Sequence, residues 1–203
     1  MKPALALSFA LFVFAATSHA QNATAAQTEA HNQAQSPAQA TSSVPQVNPY
    51  MPGCGPGNEN FDLKTEPNIS QPDPVPTPGK ALVYFVQDDR YFLSRPRPTV
   101  KWGVDGSWIG ATRSLTYFHI EVDPGEHHLC AQWQSAVILS ESKQTAVAHF
   151  VAEPGRVYYF RAQNLYWRDR DFSTASVTLE PVDSDEGALL ASQSGYSVAT
   201  LKK

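Results

Sequence analysis

From residue 80 to residue 182 the chain is divided into short apolar runs by turn dipeptides, and this spacing leaves little room for anything but a β fold. "ALVYFVQ" (81–87) is nearly continuous in apolar residues. "TVKWGV" (99–104) and "SWIGAT" (107–112) flank Asp105-Gly106, a dipeptide suited to a two-residue hairpin turn because both positions tolerate positive φ. "YFHIEV" (117–122) and "HHLCAQW" (127–133) flank Asp123-Pro124-Gly125-Glu126, where Pro then Gly suits a type II turn. The device recurs at Glu153-Pro154-Gly155-Arg156, between "AVAHFV" (146–151) and "VYYFRAQ" (157–163). A last strand is expected at "SVTLEPV" (176–182). With no long helical period, the expectation is an all-β, small antiparallel sandwich of seven or eight strands over residues 80–203. A short C-terminal helix would follow, with Ser184 as its cap, Asp185 and Glu186 in its first turn, and Leu189, Leu190 and Ala191 facing the domain. Gly187 counts against that helix.

The segments before residue 80 read differently. Residues 1–20 have the form of a signal peptide: Lys2, an apolar run from Ala4 to Ala16, and small residues at Ser18 and Ala20 before a cleavage point. The run is shorter than the roughly 20 residues a membrane span needs, and no later stretch is long enough for a transmembrane anchor. Export, to the periplasm or beyond, is the expectation. Residues 21–49 are low in complexity, almost uncharged and poor in large apolar side chains, the composition of a disordered tether. Residues 50–79 are rich in Pro and Gly and read as an extended strap, with a strand-like piece at Phe61 to Lys64. Asn22 and Asn68 begin glycosylation acceptor triplets.

In an oxidising compartment the two cysteines, Cys54 and Cys130, are expected to pair. The bond would fasten the strap and contribute roughly 4 kcal/mol on the chain-entropy argument. The alternative lies on the same strand. If residues 117–133 form one hairpin about a four-residue turn, Glu121 faces His128 and His119 faces Cys130. His127 points the other way, at the rim of a core face of Phe118, Ile120, Val122, Leu129, Ala131 and Trp133. His119, His128, Cys130 and Glu121 then share a face and make a candidate zinc-type ligand set, or a Cys beside a His base. His149 either joins them or stands alone. In the disulfide reading no thiolate remains, and the strap lies over this face with His and Glu bonding its backbone.

The run "VDGSWIGATRSLTYFHIEVDPGEHHLCAQW", with "AHFVAEPGRVYYFRAQ" and "DSDEGALL", resembles a bacterial family of exported domains, domain-of-unknown-function family 2846. The shared elements are the "VDG" hairpin, two Pro-Gly turns and a "YYF" strand over roughly residues 80–195. The core is also similar to PEGA-type β-sandwich modules. The resemblance implies a small exported β domain and brings no catalytic residues.

Two stretches carry binding chemistry. "NLYWRDRDFS" (164–173) alternates aromatic and charged residues in an expected loop, with Tyr166, Trp167, Arg168 and Arg170 as contacts. "DDRYFLSRPRPTVK" (88–101) offers Arg90, Arg95, Arg97 and Lys101 near two aromatics, a pattern for an anionic glycan or lipid headgroup, with Asp88 and Asp89 diluting the charge. A formal net charge of −4 argues against a nucleic-acid partner. There is no P-loop, nucleophile elbow, zincin or dinucleotide motif, and no cofactor is expected. Together these features point to a non-catalytic module, not an enzyme, binding an envelope protein or glycan, with the His/Cys/Glu metal site as runner-up.

Overall fold

The computed structural model describes residues 51–57, 59–66, 74–134, 143–170 and 173–202. The expected signal segment, the tether, Asn68, and Asp171 and Phe172 of the 164–173 stretch lie outside them. Within them the chain folds as a β-sandwich of two sheets. Ten strands are described: β1 (Phe61–Glu66), β2 (Ala81–Asp88), β3 (Thr99–Val104), β4 (Ser107–Arg113), β5 (Thr116–Val122), β6 (Gly125–Trp133), β7 (Thr145–Ala152), β8 (Val157–Arg168), β9 (Ser173–Val182) and β10 (Gly195–Leu201). One sheet has the order β1-β10-β5-β2-β8-β9 and the other β4-β3-β6-β7. The larger sheet is mixed, because β2 pairs with β8 and β10 with β5 in parallel.

Asp105 and Gly106 both take positive φ (49° and 82°), and β3-β4 is the hairpin that the dipeptide encodes. The two Pro-Gly turns do something else. Each carries the chain from one sheet to the other, β5 to β6 and β7 to β8. The ladder expected between residues 117–122 and 127–133 does not form. β5 pairs with β2 and β10, and β6 with β3 and β7. The alternation along each strand is nonetheless as read: Phe118, Val122, Leu129, Ala131 and Trp133 fill the space between the sheets with Val83, Phe85, Trp102 and Phe160.

β2 explains its own unbroken apolar sequence. Ala81, Val83 and Phe85 face the core, while Leu82, Tyr84 and Val86 face a second layer formed by helix α1 (Ser184–Ser192). The helix is capped by Asp183, not Ser184: the Asp183 carboxylate accepts the N–H groups of Asp185 and Glu186, both at 2.9 Å. Leu190 and Ala191 pack inward, whereas Leu189 is exposed. β10, which follows the helix, is a strand for which the sequence raises no expectation. After Tyr196 it parts from β5 and runs on against β4, where the Ser197 hydroxyl donates to the Ala111 carbonyl (2.8 Å).

The strap crosses the outer face of the smaller sheet, held by the Cys54–Cys130 disulfide across 76 residues. Its glycines let backbone press on backbone. A Cβ on Gly53 would stand 2.5 Å from the Leu129 carbonyl carbon, and one on Gly55 2.5 Å from the Trp108 nitrogen. Trp108 Nε1 donates to the Pro56 carbonyl (2.6 Å), and the Gln134 amide brackets both backbone groups of Phe61 (2.7 and 3.1 Å). Farther along, Glu121 accepts the Thr77 N–H (2.6 Å), but the single polar hairpin face expected under the strap does not form, because Glu121 and Cys130 stand in different sheets.

Candidate binding surface

The runner-up metal set does not assemble. Cys130 is in the disulfide, which removes its thiolate. His119 and Glu121 stand on β5, in the larger sheet, and His128 on β6, in the smaller one. Among the described residues no group of three His, Cys, Asp or Glu side chains is placed to hold a metal. His128 faces His149 across the β6-β7 ladder, with ring centroids 6.3 Å apart. His127 points oppositely, against Phe150. Its two ring nitrogens meet the Asp105 carboxylate (2.6 Å) and the Asp123 carbonyl (2.7 Å). Burial disfavours its charge, but these two oxygens outweigh that and raise its pKa.

His119 lies in an aromatic layer beside α1. Its ring is 5.3 Å from Tyr84 and 5.5 Å from Tyr196, and Tyr84 stacks on Tyr159 at 4.7 Å. Burial lowers the His119 pKa, and its Nδ1 is enclosed without a hydrogen-bond partner. Next to this layer a pocket of about 470 Å³ opens between Tyr84, Tyr117, Tyr159, Pro74 and the last turn of α1. These tyrosines interleave with core residues in the sequence, and only the outward parity of β2, β5 and β8 would have grouped them.

The two predicted contact stretches do come together, at one end of the sandwich. Phe92 forms a parallel bridge to Tyr166, and their rings are 5.6 Å apart. Residues 164–168 are strand and not loop: β8 continues to Arg168, with Trp167 opposite Thr174. Burial divides the stretch by position. Asn164 is fully buried, while Trp167 is 58% exposed and Arg168 and Arg170 are exposed.

A buried polar chain secures the base of the 89–98 segment. Trp102 Nε1 donates to the Thr112 hydroxyl (2.8 Å), which donates to Gln87 Oε1 (2.8 Å). Gln87 Nε2 reaches the Asp89 carboxylate (2.9 Å) and the Pro98 carbonyl (3.0 Å). Asn164 Nδ2 donates to Asp89 (2.6 Å), and Asn164 Oδ1 accepts from Trp133 Nε1 (2.7 Å). Burial raises the Asp89 pKa, and the amides of Asn164 and Gln87 only partly oppose it. Such a network fixes one geometry because each member left unpaired would be costly. Phe92 then inserts beside Trp133 and Tyr166, and the segment presents Tyr91 (62% exposed) and Leu93 (83% exposed) outward. No sequence motif marks this network, since its members come from five separate strands and a loop.

The four cations of residues 88–101 have different fates. Arg90 is paired with Asp88 (2.8 Å). Lys101 is not at this surface; it is buried on β3 under the strap, with Nζ donating to the Glu59 carbonyl (2.9 Å). Arg95 is exposed and Arg97 half-buried, and they line a pocket of about 470 Å³ with Arg113, Leu63, Thr65 and Leu115. Arg113 comes from the far end of β4, which is why local reading missed it. No family model, curated protein or solved structure matches the chain.

Proposed function

We propose that this protein is a non-catalytic, exported β-sandwich module that binds a protein or glycan of the bacterial cell envelope through the end bearing residues 89–98 and 164–170. Export rests on the signal-like segment 1–20, and the disulfide agrees with an oxidising compartment. No described helix is long and apolar enough to cross a membrane. The observation that carries the reading is the junction of Phe92 with Tyr166, which joins the 89–98 segment, with exposed Tyr91, Leu93 and Arg95, to the strand that carries exposed Trp167 and Arg168. Exposed aromatics next to arginines are the composition of interface hot spots.

The test is a pull-down from envelope extracts and an envelope glycan panel, comparing the natural chain with Trp167→Ala and Arg95→Ala. Loss of capture with either variant supports the reading. Unchanged capture with both overturns it.

A further inference from the structure

The pocket between Arg95, Arg97 and Arg113 differs from three other arginine sites of the protein. Arg90, Arg156 and Arg161 each have a carboxylate: Asp88, Glu153, and Glu180 with Glu186. Among the described residues none of the three pocket arginines has one within ion-pair distance. The buried acid nearby, Asp89, is engaged by Gln87 and Asn164. Arg113 Nε is held by the Thr99 hydroxyl (2.8 Å), which fixes the stem of its guanidinium. Arg97 Nε is shut off from solvent with no hydrogen-bond partner. A donor desolvated in this way costs free energy. Arg97 also feels the charge of buried Asp89, though without ion-pair contact. In a chain of net charge −4, three guanidiniums lining one cavity with no carboxylate in ion-pair contact call for an anion.

From this we propose that the Arg95–Arg97–Arg113 pocket binds a phosphate monoester. One guanidinium suffices for the two oxygens of a carboxylate. Three guanidiniums match a group with three terminal oxygens and a charge of about −1.5 to −2 at neutral pH. Leu63 and Leu115 give the pocket apolar wall for the carbon next to the ester oxygen, and Thr65 adds a hydroxyl. The phosphate belongs either to a soluble sugar or glycerol phosphate or to a lipid headgroup. The inference rests on the reading of this end as the contact surface, and it names the ligand chemistry there.

The test is calorimetric titration of the full exported chain with inorganic phosphate, glycerol 3-phosphate and, as the carboxylate control, acetate. It is joined by flotation with phosphatidylcholine vesicles with and without phosphatidic acid. Binding of phosphate or its ester in preference to acetate is expected. Arg95→Ala, which removes no hydrogen bond or ion pair among the described residues, should weaken it about tenfold or more, as should Arg113→Ala. Binding to glycerol 3-phosphate without flotation assigns a soluble ester. Flotation only with phosphatidic acid assigns a headgroup. No binding to any phosphate probe, equal binding of acetate, or affinity unchanged in both variants overturns the proposal. Circular dichroism and melting curves confirm that the variants are folded. Capture of an envelope partner that depends on Trp167 while phosphate fails to bind would sink the phosphate pocket alone and leave the contact surface standing.

Discussion

Lys101 shows how much the setting of one side chain can change its meaning. In the sequence it closes a basic stretch and looks solvated. In the fold it is 0% exposed, its ammonium 4.1 Å from the Trp108 ring centroid and bonded to the Glu59 carbonyl. Burial above all, with Lys143 adding to it, brings its pKa down from 10.5 to about 8. The sign of the linkage follows. Below about pH 8 folded and unfolded chains both hold the proton, and Lys101 adds no slope. Between about 8 and 10.5 the unfolded chain still holds a proton that the folded chain has released, so stability rises with pH. Lys101→Met keeps the length and removes the buried charge. It should stabilise the protein by about 1–3 kcal/mol at pH 7. Urea unfolding of both chains at several pH values between 7 and 10 isolates this group by difference. The advantage of the Met chain should shrink as pH rises, and a constant difference would show that Lys101 is not the titrating group.

Among the elements, α1 was legible in outline and not in detail. Its acidic first turn and its buried Leu190 and Ala191 could be read from the sequence. Its cap moved one residue because Asp183 is a carboxylate with extended backbone directly before the first helical residue. Gly187 argued against the helix on propensity, and packing explains it instead. A Cβ there would lie 2.2 Å from Cγ and 2.5 Å from Cβ of Tyr159, atoms at the fixed root of that ring. In an exposed helix Gly→Ala gains about 1 kcal/mol. Here Gly187→Ala should instead cost about 1–3 kcal/mol, because the helix must lift from β8. Thermal or urea unfolding of Gly187→Ala in the natural and in the Tyr159→Gly background tests this, because only loss of the Tyr159 Cβ together with its ring clears the contact. The glycine change should cease to destabilise once that side chain is gone. Equal cost in both backgrounds would place the penalty in the helix itself. β10 was missed for the opposite reason. Its seven residues follow a helix, and its main partner is β1, more than a hundred positions earlier in the chain.

For the whole molecule, the sequence revealed parity better than partnership. Alternation fixes which residues of β5 and β6 turn inward, and the core bears that out. Whether a four-residue turn closes a hairpin or passes to the other sheet depends on which strands offer free edges, and that is decided far away. The two Pro-Gly turns therefore looked like hairpins, and the His/Cys/Glu cluster was a product of that one assumption. The cysteine pairing survived because it depended on compartment and count, not on register. It also organises the outer face of the smaller sheet: the strap covers Lys101 and Trp108 and lays its glycines against β4 and β6. Replacing both cysteines by alanine should cost about 4 kcal/mol, the chain-entropy figure for a closed loop of this size. If the bond is also what keeps the strap seated, the Trp108 indole proton will exchange with solvent much faster in the double variant, and the pH dependence assigned to Lys101 will fade as water reaches its ammonium. The readouts are urea unfolding and hydrogen exchange by NMR. A normal loss of stability with Trp108 still protected would mean that the glycine contacts and the Pro56, Glu59 and Phe61 hydrogen bonds hold the strap by themselves. The disulfide would then act on the unfolded chain alone.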